Sequence, residues 1–366
     1  MLSNGRAIST NTPRSLLCTL AHFATLLAVL TLFPWSSNAA GTTATVSIAA
    51  SNSLSMPPAC TGINVVDQLK IQRPDLHREI LAAAAKTSNA NAILWKIEKP
   101  NLQPSYLFGT MHVTDPRVTT LSPNTKSALA GSNLIALELA DLSAPKIGIA
   151  IQKSPGMLFY TDGSRLDKKL SKADFSIAQK TLKASGIPAD TALVVKPWFA
   201  YVLLALPPCE TKRAASGLKF LDAKLAKLGA ARNIPVIGLE TPIQQLRALA
   251  SLSDAHQLEL LKTSLRLLDR REDMFETLIQ LYLSRRLAET MPLSNALSKI
   301  HGLKTTGTAA FINSMVVKRN YGMRDKSLPL LNKGGAFIAV GALHLSGKTG
   351  LVALFRRAGY KVSAIE

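Results

Sequence analysis

Two histidines and two glutamates stand in a repeated relation to short apolar runs. Tyr106-Leu107-Phe108 leads into Gly109-Thr110-Met111-His112, and Ala336-Phe337-Ile338-Ala339-Val340 leads into Gly341-Ala342-Leu343-His344. Between these Gly-x-x-His units, Leu134-Ile135-Ala136-Leu137 meets Glu138 and Val236-Ile237-Gly238-Leu239 meets Glu240, so the order along the chain is His, Glu, Glu, His. Imidazole and carboxylate together form a ligand set for a divalent ion, with zinc, manganese, cobalt and iron all compatible. Glycine three residues before each histidine allows a sharp turn or a close approach of backbone to ligand. Any one of these residues alone is an ordinary polar end to a buried run. The repetition is what points to chemistry.

Such residues meet in space only if the runs are strands of one sheet, because the carboxyl ends of strands in an open α/β sheet converge on a single crevice. Residues 93–98 and 105–109, separated by Pro100-Asn101-Leu102-Gln103-Pro104, read as a hairpin whose second strand delivers His112. Asn64 can cap a helix through residue 69, and Pro74 can open another through residue 86. Ser122-Pro123 starts a helix ending at Gly131, which leads to the strand before Glu138 as a β-α-β unit. Ser171 caps a helix ending at Gly186, residues 189–206 read as one apolar helix around Trp198, and residues 218–228 as a helix feeding the strand before Glu240. After Thr241-Pro242 the pattern is helical to about residue 290, with Leu258, Leu261, Leu265 and Leu268 at helical spacing, and a helix over 308–323 carries Arg319-Asn320. The expected fold is α/β: two β/α halves around a central mixed sheet, with a helical insertion at about 143–231 and a helical segment at about 242–325.

The chain has 366 residues, 47% of them hydrophobic, which is enough for a substantial core. Forty-three Lys and Arg against 23 Asp and Glu give a net charge of +20, which favours anionic surroundings such as a membrane surface or an acidic polymer, with a solvated basic surface as the preferred reading. The cations are scattered in short groups such as Lys168-Lys169 and Arg285-Arg286, with no aromatic-rich basic strip, and this argues against nucleic acid as a partner. Residues 1–39 read as a secretory signal: Arg6 and Arg14, an apolar run over 16–33, then Ser37-Asn38-Ala39 at a cleavage site. An uncleaved anchor is the alternative. Residues 40–59, rich in Ser, Thr and Ala, read as a flexible leader before a domain over 60–366. Export leaves Cys60 and Cys209 in the mature chain, an even pair and so a disulfide candidate, with two free thiols as the alternative.

The segment from Gly341 to Lys348-Thr349 imitates a phosphate-binding loop but has five residues between its first glycine and Gly347-Lys348-Thr349 where four are needed. Neither His-Glu-x-x-His nor Gly-x-Ser-x-Gly occurs. Taken together, Tyr106 to Val113, the strand ending at Glu138, Gly238-Leu239-Glu240-Thr241, Arg319-Asn320 and Gly341 to Gly347 resemble the TraB/GumN family, relatives of the Tiki metalloproteases and of the pheromone-shutdown protein PrgY. The segment near Arg285-Arg286 departs from that pattern in lacking a glycine. The resemblance implies a bacterial envelope protein, periplasmic or secreted, with a metal-dependent hydrolase site acting on a peptide or protein. A non-catalytic peptide-binding protein using the same cleft is the alternative. In the hydrolase reading His112 and His344 hold the metal, one of Glu138 and Glu240 completes the coordination and the other is general base. Arg319 stabilises the oxyanion or a substrate carboxylate, and Asn320 orients a ligand or the water.

Overall fold

The computed structural model describes residues 60–140, 148 and 151–366, so the signal and leader read at 1–59 lie outside the described residues. Six strands form one mixed sheet: β1 (Leu94–Glu98), β2 (Ser105–Thr110), β3 (Leu134–Leu137), β4 (Val236–Gly238), β5 (Ala336–Gly341) and β6 (Lys361–Ala364), in the order β4-β3-β5-β2-β1-β6. β1 and β2 make the antiparallel hairpin read from the sequence, with Leu94 opposite Phe108, and its turn is eased by Asn101 at φ 63°. β5 lies between β2 and β3 and is parallel to both, and β3 is parallel to β4. The four strands that end on the polar residues therefore run the same way and end at the same edge. β5 is almost entirely buried, as expected for a central parallel strand with both faces covered.

Alternation along the strands divides the core into two layers. Leu107, Ile338 and Val340 face one layer with Leu351 and Phe355, while Phe108, Phe337 and Ile135 face the other with Leu221, Phe275 and Tyr282. A separate core packs Trp198, Phe199 and Leu182 of the helical insertion against Leu261 of the later helical segment, and a fourth joins the helices Val65–Gln72 and Pro74–Ala84 to Leu293 and Leu297. Among the described residues no helix is long and apolar enough to cross a membrane.

Several boundaries differ from the sequence pattern, each for a local reason. The run over 189–206 is two helices, Ala189–Val194 and Pro197–Ala205, because Lys196 precedes a proline and is held extended at ψ 146°. The stretch after Pro242 is three helices, Pro242–Ala250, Asp254–Arg266 and Arg271–Leu283, the second started by Ser253 accepting from His256 N. The helix over 308–323 is longer and interrupted: Thr306–Ile312, one π-helical segment Asn313–Val317, then Lys318–Leu331. Near Arg285-Arg286, where the resemblance led to the expectation of a glycine, Arg285 itself takes the left-handed conformation (φ 61°), and Arg286 N bonds to Leu281 O at 2.7 Å to close the helix end. The chain thus makes the turn without the glycine.

Cys60 and Cys209 are disulfide-bonded, with Cα atoms 5.3 Å apart and 149 residues of separation. Restricting so long a loop in the unfolded chain stabilises the fold by about 2–4 kcal/mol. Cys60→Ser/Cys209→Ser is therefore expected to lower the unfolding free energy by about 2–4 kcal/mol, and with it the urea midpoint, and to raise the slope because the unlinked denatured chain exposes more surface. An unchanged midpoint would contradict the assignment of stability to this bond.

Candidate functional site

β2, β3, β4 and β5 deliver His112, Glu138, Glu240 and His344 to one side of the sheet, and the helix Lys318–Leu331 brings Arg319 and Asn320 across it. Gly341 marks the meeting point. A Cβ built there would lie 3.1 Å from Glu138 Oε1, 3.5 Å from His344 Cδ2 and 4.0 Å from His112 Nε2, so the missing side chain leaves a small space lined by all three. Gly341 N also donates to Glu138 Oε1 at 2.6 Å.

Each imidazole is held through Nδ1. His112 Nδ1 pairs with Asp222 Oδ2 at 2.9 Å, and Asp222 Oδ1 accepts from Thr110 Oγ1 at 3.0 Å. His344 Nδ1 pairs with Asn320 Oδ1 at 2.6 Å. Asn320 Nδ2 donates to Thr349 O, which fixes Oδ1 as acceptor and places the His344 proton on Nδ1, leaving a lone pair on Nε2. Fixing Nδ1 in this way is how metal-bound histidines are oriented. Phe220 closes one side of His112 edge-on, while the ring keeps 38% side-chain exposure at the mouth of the site.

Arg319 occupies the space between the glutamates. Nη2 donates to Glu138 Oε2 and Glu240 Oε2, each at 2.6 Å, and Nε donates to Glu240 Oε2 and Oε1 at 2.9 and 3.1 Å. Nη1 donates to Met315 O at 2.8 Å and faces His344 Nε2 at 3.4 Å. Met315 lies in the π-helical segment, where the widened turn changes the phase of the helix just before Arg319. Gln245 adds a bond to Glu138 Oε2 at 3.0 Å. The three charged side chains are 5%, 9% and 10% exposed for Glu138, Glu240 and Arg319.

The electrostatics separate the two imidazoles. Burial would lower His112, but the charge and hydrogen bond of Asp222, with Glu138 behind them, push it up to about 9. Burial pushes His344 down to about 4, aided by the charges of Arg319 and His112 and opposed by Glu138. Burial would raise Glu138, yet the imidazoles, Arg319 and the Gly341 N–H hold it well below the usual carboxylate range. One ring is a proton-holding group and the other a neutral lone-pair donor, the kind of divergence that acid–base and metal sites share.

All six site residues read from the sequence thus stand together. The reading missed Asp222 and Gln245, which come from the helices Leu221–Ala231 and Pro242–Ala250. As a test of metal chemistry, the donor set fits in kind: two imidazoles with Nδ1 anchored, and Glu138 Oε1 between them at the side-chain-free Gly341. It is not drawn together, since among the described residues no group of three or more His, Cys, Asp or Glu stands close enough to hold a metal ion. Both oxygens of Glu240 are taken by Arg319.

A mixed sheet with helices on both faces, carrying a histidine–glutamate–arginine centre at the ends of its parallel strands, defines the class of this protein. Its family follows from comparison: the model of the TraB/PrgY/gumN family matches residues 93–364, every site residue included, and the chain belongs to that family. No curated protein and no solved structure matches it.

Proposed function

We propose that this chain is a metal-dependent hydrolase of the cell envelope, acting on peptide bonds, and that its metal is held by His112 Nε2, His344 Nε2 and Glu138 Oε1. The observation that carries this reading is the anchoring of both imidazoles through Nδ1, by Asp222 and Asn320, which presents both Nε2 atoms toward the same glutamate. A divalent ion there would supply a water acidic enough to be deprotonated near neutral pH. Glu240 Oε1, the less engaged of its two oxygens, would be the base for a proton released there. Arg319, whose donors already lie between the two glutamates, would be the cation for a developing oxyanion. Asn320 keeps His344 in the tautomer with Nε2 free, whereas Asp222 orients His112 through Nδ1 and holds it protonated, so that a bound ion would have to displace the proton on its Nε2. The scattered positive charge suits residence beside an anionic membrane surface.

The experiment is elemental analysis of the protein purified without chelators, combined with cleavage of a diverse peptide library. One equivalent of a divalent transition metal and chelator-sensitive cleavage are expected. A second reading, a peptide-binding protein without catalysis, is favoured by the engagement of both glutamates by Arg319. Tight peptide binding with no metal and no cleavage would establish it in place of the first.

A further inference from the structure

The segment that carries His112 is gripped from outside the site. Just beyond it, Glu210 accepts from Thr114 N at 2.6 Å and from Thr114 Oγ1 at 2.9 Å, and Arg213 Nη1 donates to Asp115 Oδ2 at 3.3 Å. Both gripping side chains come from the helix Pro208–Ala215, and Thr114, Asp115, Glu210 and Arg213 are all buried. Asp115 also binds Arg117, whose Nη1 and Nη2 donate to Glu276 at 2.8 and 2.7 Å. Glu276 lies on the helix Arg271–Leu283, which holds the other end of the His112 segment through Tyr282 Oη donating to Gly109 O at 2.8 Å.

That same helix anchors the chain that leaves Cys60. Thr61 N and Oγ1 donate to Glu272, Ile63 N to Asp273 Oδ1 at 3.0 Å and Val65 N to Thr277 Oγ1 at 2.8 Å. Gly62 sits so close that a Cβ would fall 2.0 Å from Glu272 O. The Cys60–Cys209 bond then joins this strap to the helix Pro208–Ala215, one residue before Glu210. The connections close into a ring: helix Arg271–Leu283, strap, disulfide, helix Pro208–Ala215, His112 segment, Arg117 and back through Glu276.

We infer that Glu210 and Arg213 are positioning residues for His112, and that the disulfide is the tether keeping their helix in place, so that the thiol–disulfide state of Cys60 and Cys209 regulates the site. Reduction by a dithiol passes two electrons and two protons to the S–S bond, which becomes two thiols while the dithiol closes to its own disulfide. Cys60 is half-buried and Cys209 buried, and a cavity of about 970 Å³ is lined by their chain neighbours Thr61 and Pro208 and by Thr211, so a reductant meets the bond from the Cys60 side. With the tether gone, the grip on Thr114 and Asp115 rests on the hydrogen bonds and ion pair alone, and the backbone that carries His112 loses an anchor while Asp222 still holds the ring. The consequence for metal rests on the proposed function; the ordering of the segment does not.

The test measures amide exchange at Thr114 and Mn²⁺ affinity by calorimetry in the full chain. Glu210→Ala and Cys60→Ser/Cys209→Ser are each expected to speed Thr114 exchange tenfold or more and to raise the Mn²⁺ dissociation constant by a similar factor. Glu210→Gln, which keeps an acceptor for Thr114, should recover most of both. Leu182→Ala, in the insertion core, serves as the control that lowers thermal stability without touching the ring, and it should move neither readout. Wild type reduced with dithiothreitol supplies the exchange measurement where a variant does not fold. Unchanged Thr114 exchange on reduction and in Glu210→Ala, or an equal change in Leu182→Ala, would overturn the inference. Faster exchange in a protein that takes up no Mn²⁺ at all would uphold the clamp and remove the metal from the proposed function.

Discussion

His112→Ala and His344→Ala are each expected to abolish metal retention and peptide cleavage while the protein stays folded. The rate should fall by at least a thousandfold, since removing the group that activates the water leaves only binding and oxyanion contacts. Stability should respond differently at the two positions. His344 is 4% exposed and bonded to Asn320, so its removal leaves a buried carboxamide oxygen without a partner and costs about 1–3 kcal/mol. His112 is at the mouth, and its loss leaves the Asp222 carboxylate with Thr110 as remaining side-chain partner. The measurements are metal content after gel filtration, cleavage of the best library peptide, and thermal unfolding. Full cleavage by a folded, metal-free His112→Ala/His344→Ala protein would sink the mechanism.

The strand ends were legible in the sequence because each combines a hydrophobic run with an abrupt polar residue, and the near-continuous burial of β2 and β5 follows from that pattern. The helix starts were legible where a side chain caps them: Asn64 accepts from Val66 N, and Ser122 and Ser171 each accept from the third residue beyond. The break at Lys196-Pro197 was also legible, and the apolar character of the run obscured it. What no local pattern could supply is partnership across the chain. Asp222 lies 110 residues from His112 and looks like an acid in the first turn of a helix, where the macrodipole alone would explain it. Glu210 and Arg213 look like a solvated pair three apart, and only the tertiary structure buries them against Thr114 and Asp115. The sequence brought Arg319 to the site as a donor to an oxyanion. The structure has it donating to both glutamates first.

That difference yields the second large effect, on Arg319→Met. Glu138 and Glu240 have oxygens within 2.6 Å of the same guanidinium nitrogen and are almost wholly buried, so Arg319 is the cation they share, with the imidazoles and the Gly341 N–H as further support for Glu138. Met fills a similar volume without charge. Removing the cation from a buried ionic group of this kind costs about 3–5 kcal/mol, because the partners remain buried and unpaired. An Arg319 that served only the transition state would leave stability unchanged on substitution, so the apo protein distinguishes the two roles directly. Arg319→Met is expected to unfold at markedly lower temperature than wild type when freed of metal, and to regain much of the loss in Mn²⁺, since a divalent ion can replace the missing positive charge between the glutamates. Cleavage should remain low in both conditions, because the donors for the oxyanion are gone. Glu240→Gln gives the opposite sign at the metal: Arg319 then has Glu138 as its one remaining carboxylate, holds it more firmly, and competes better with an ion for it. Differential scanning calorimetry with and without Mn²⁺, on both variants, reads the two effects. A metal-free Arg319→Met protein as stable as wild type would show that the guanidinium is not the counter-charge that permits two glutamates to be buried at the centre of this site.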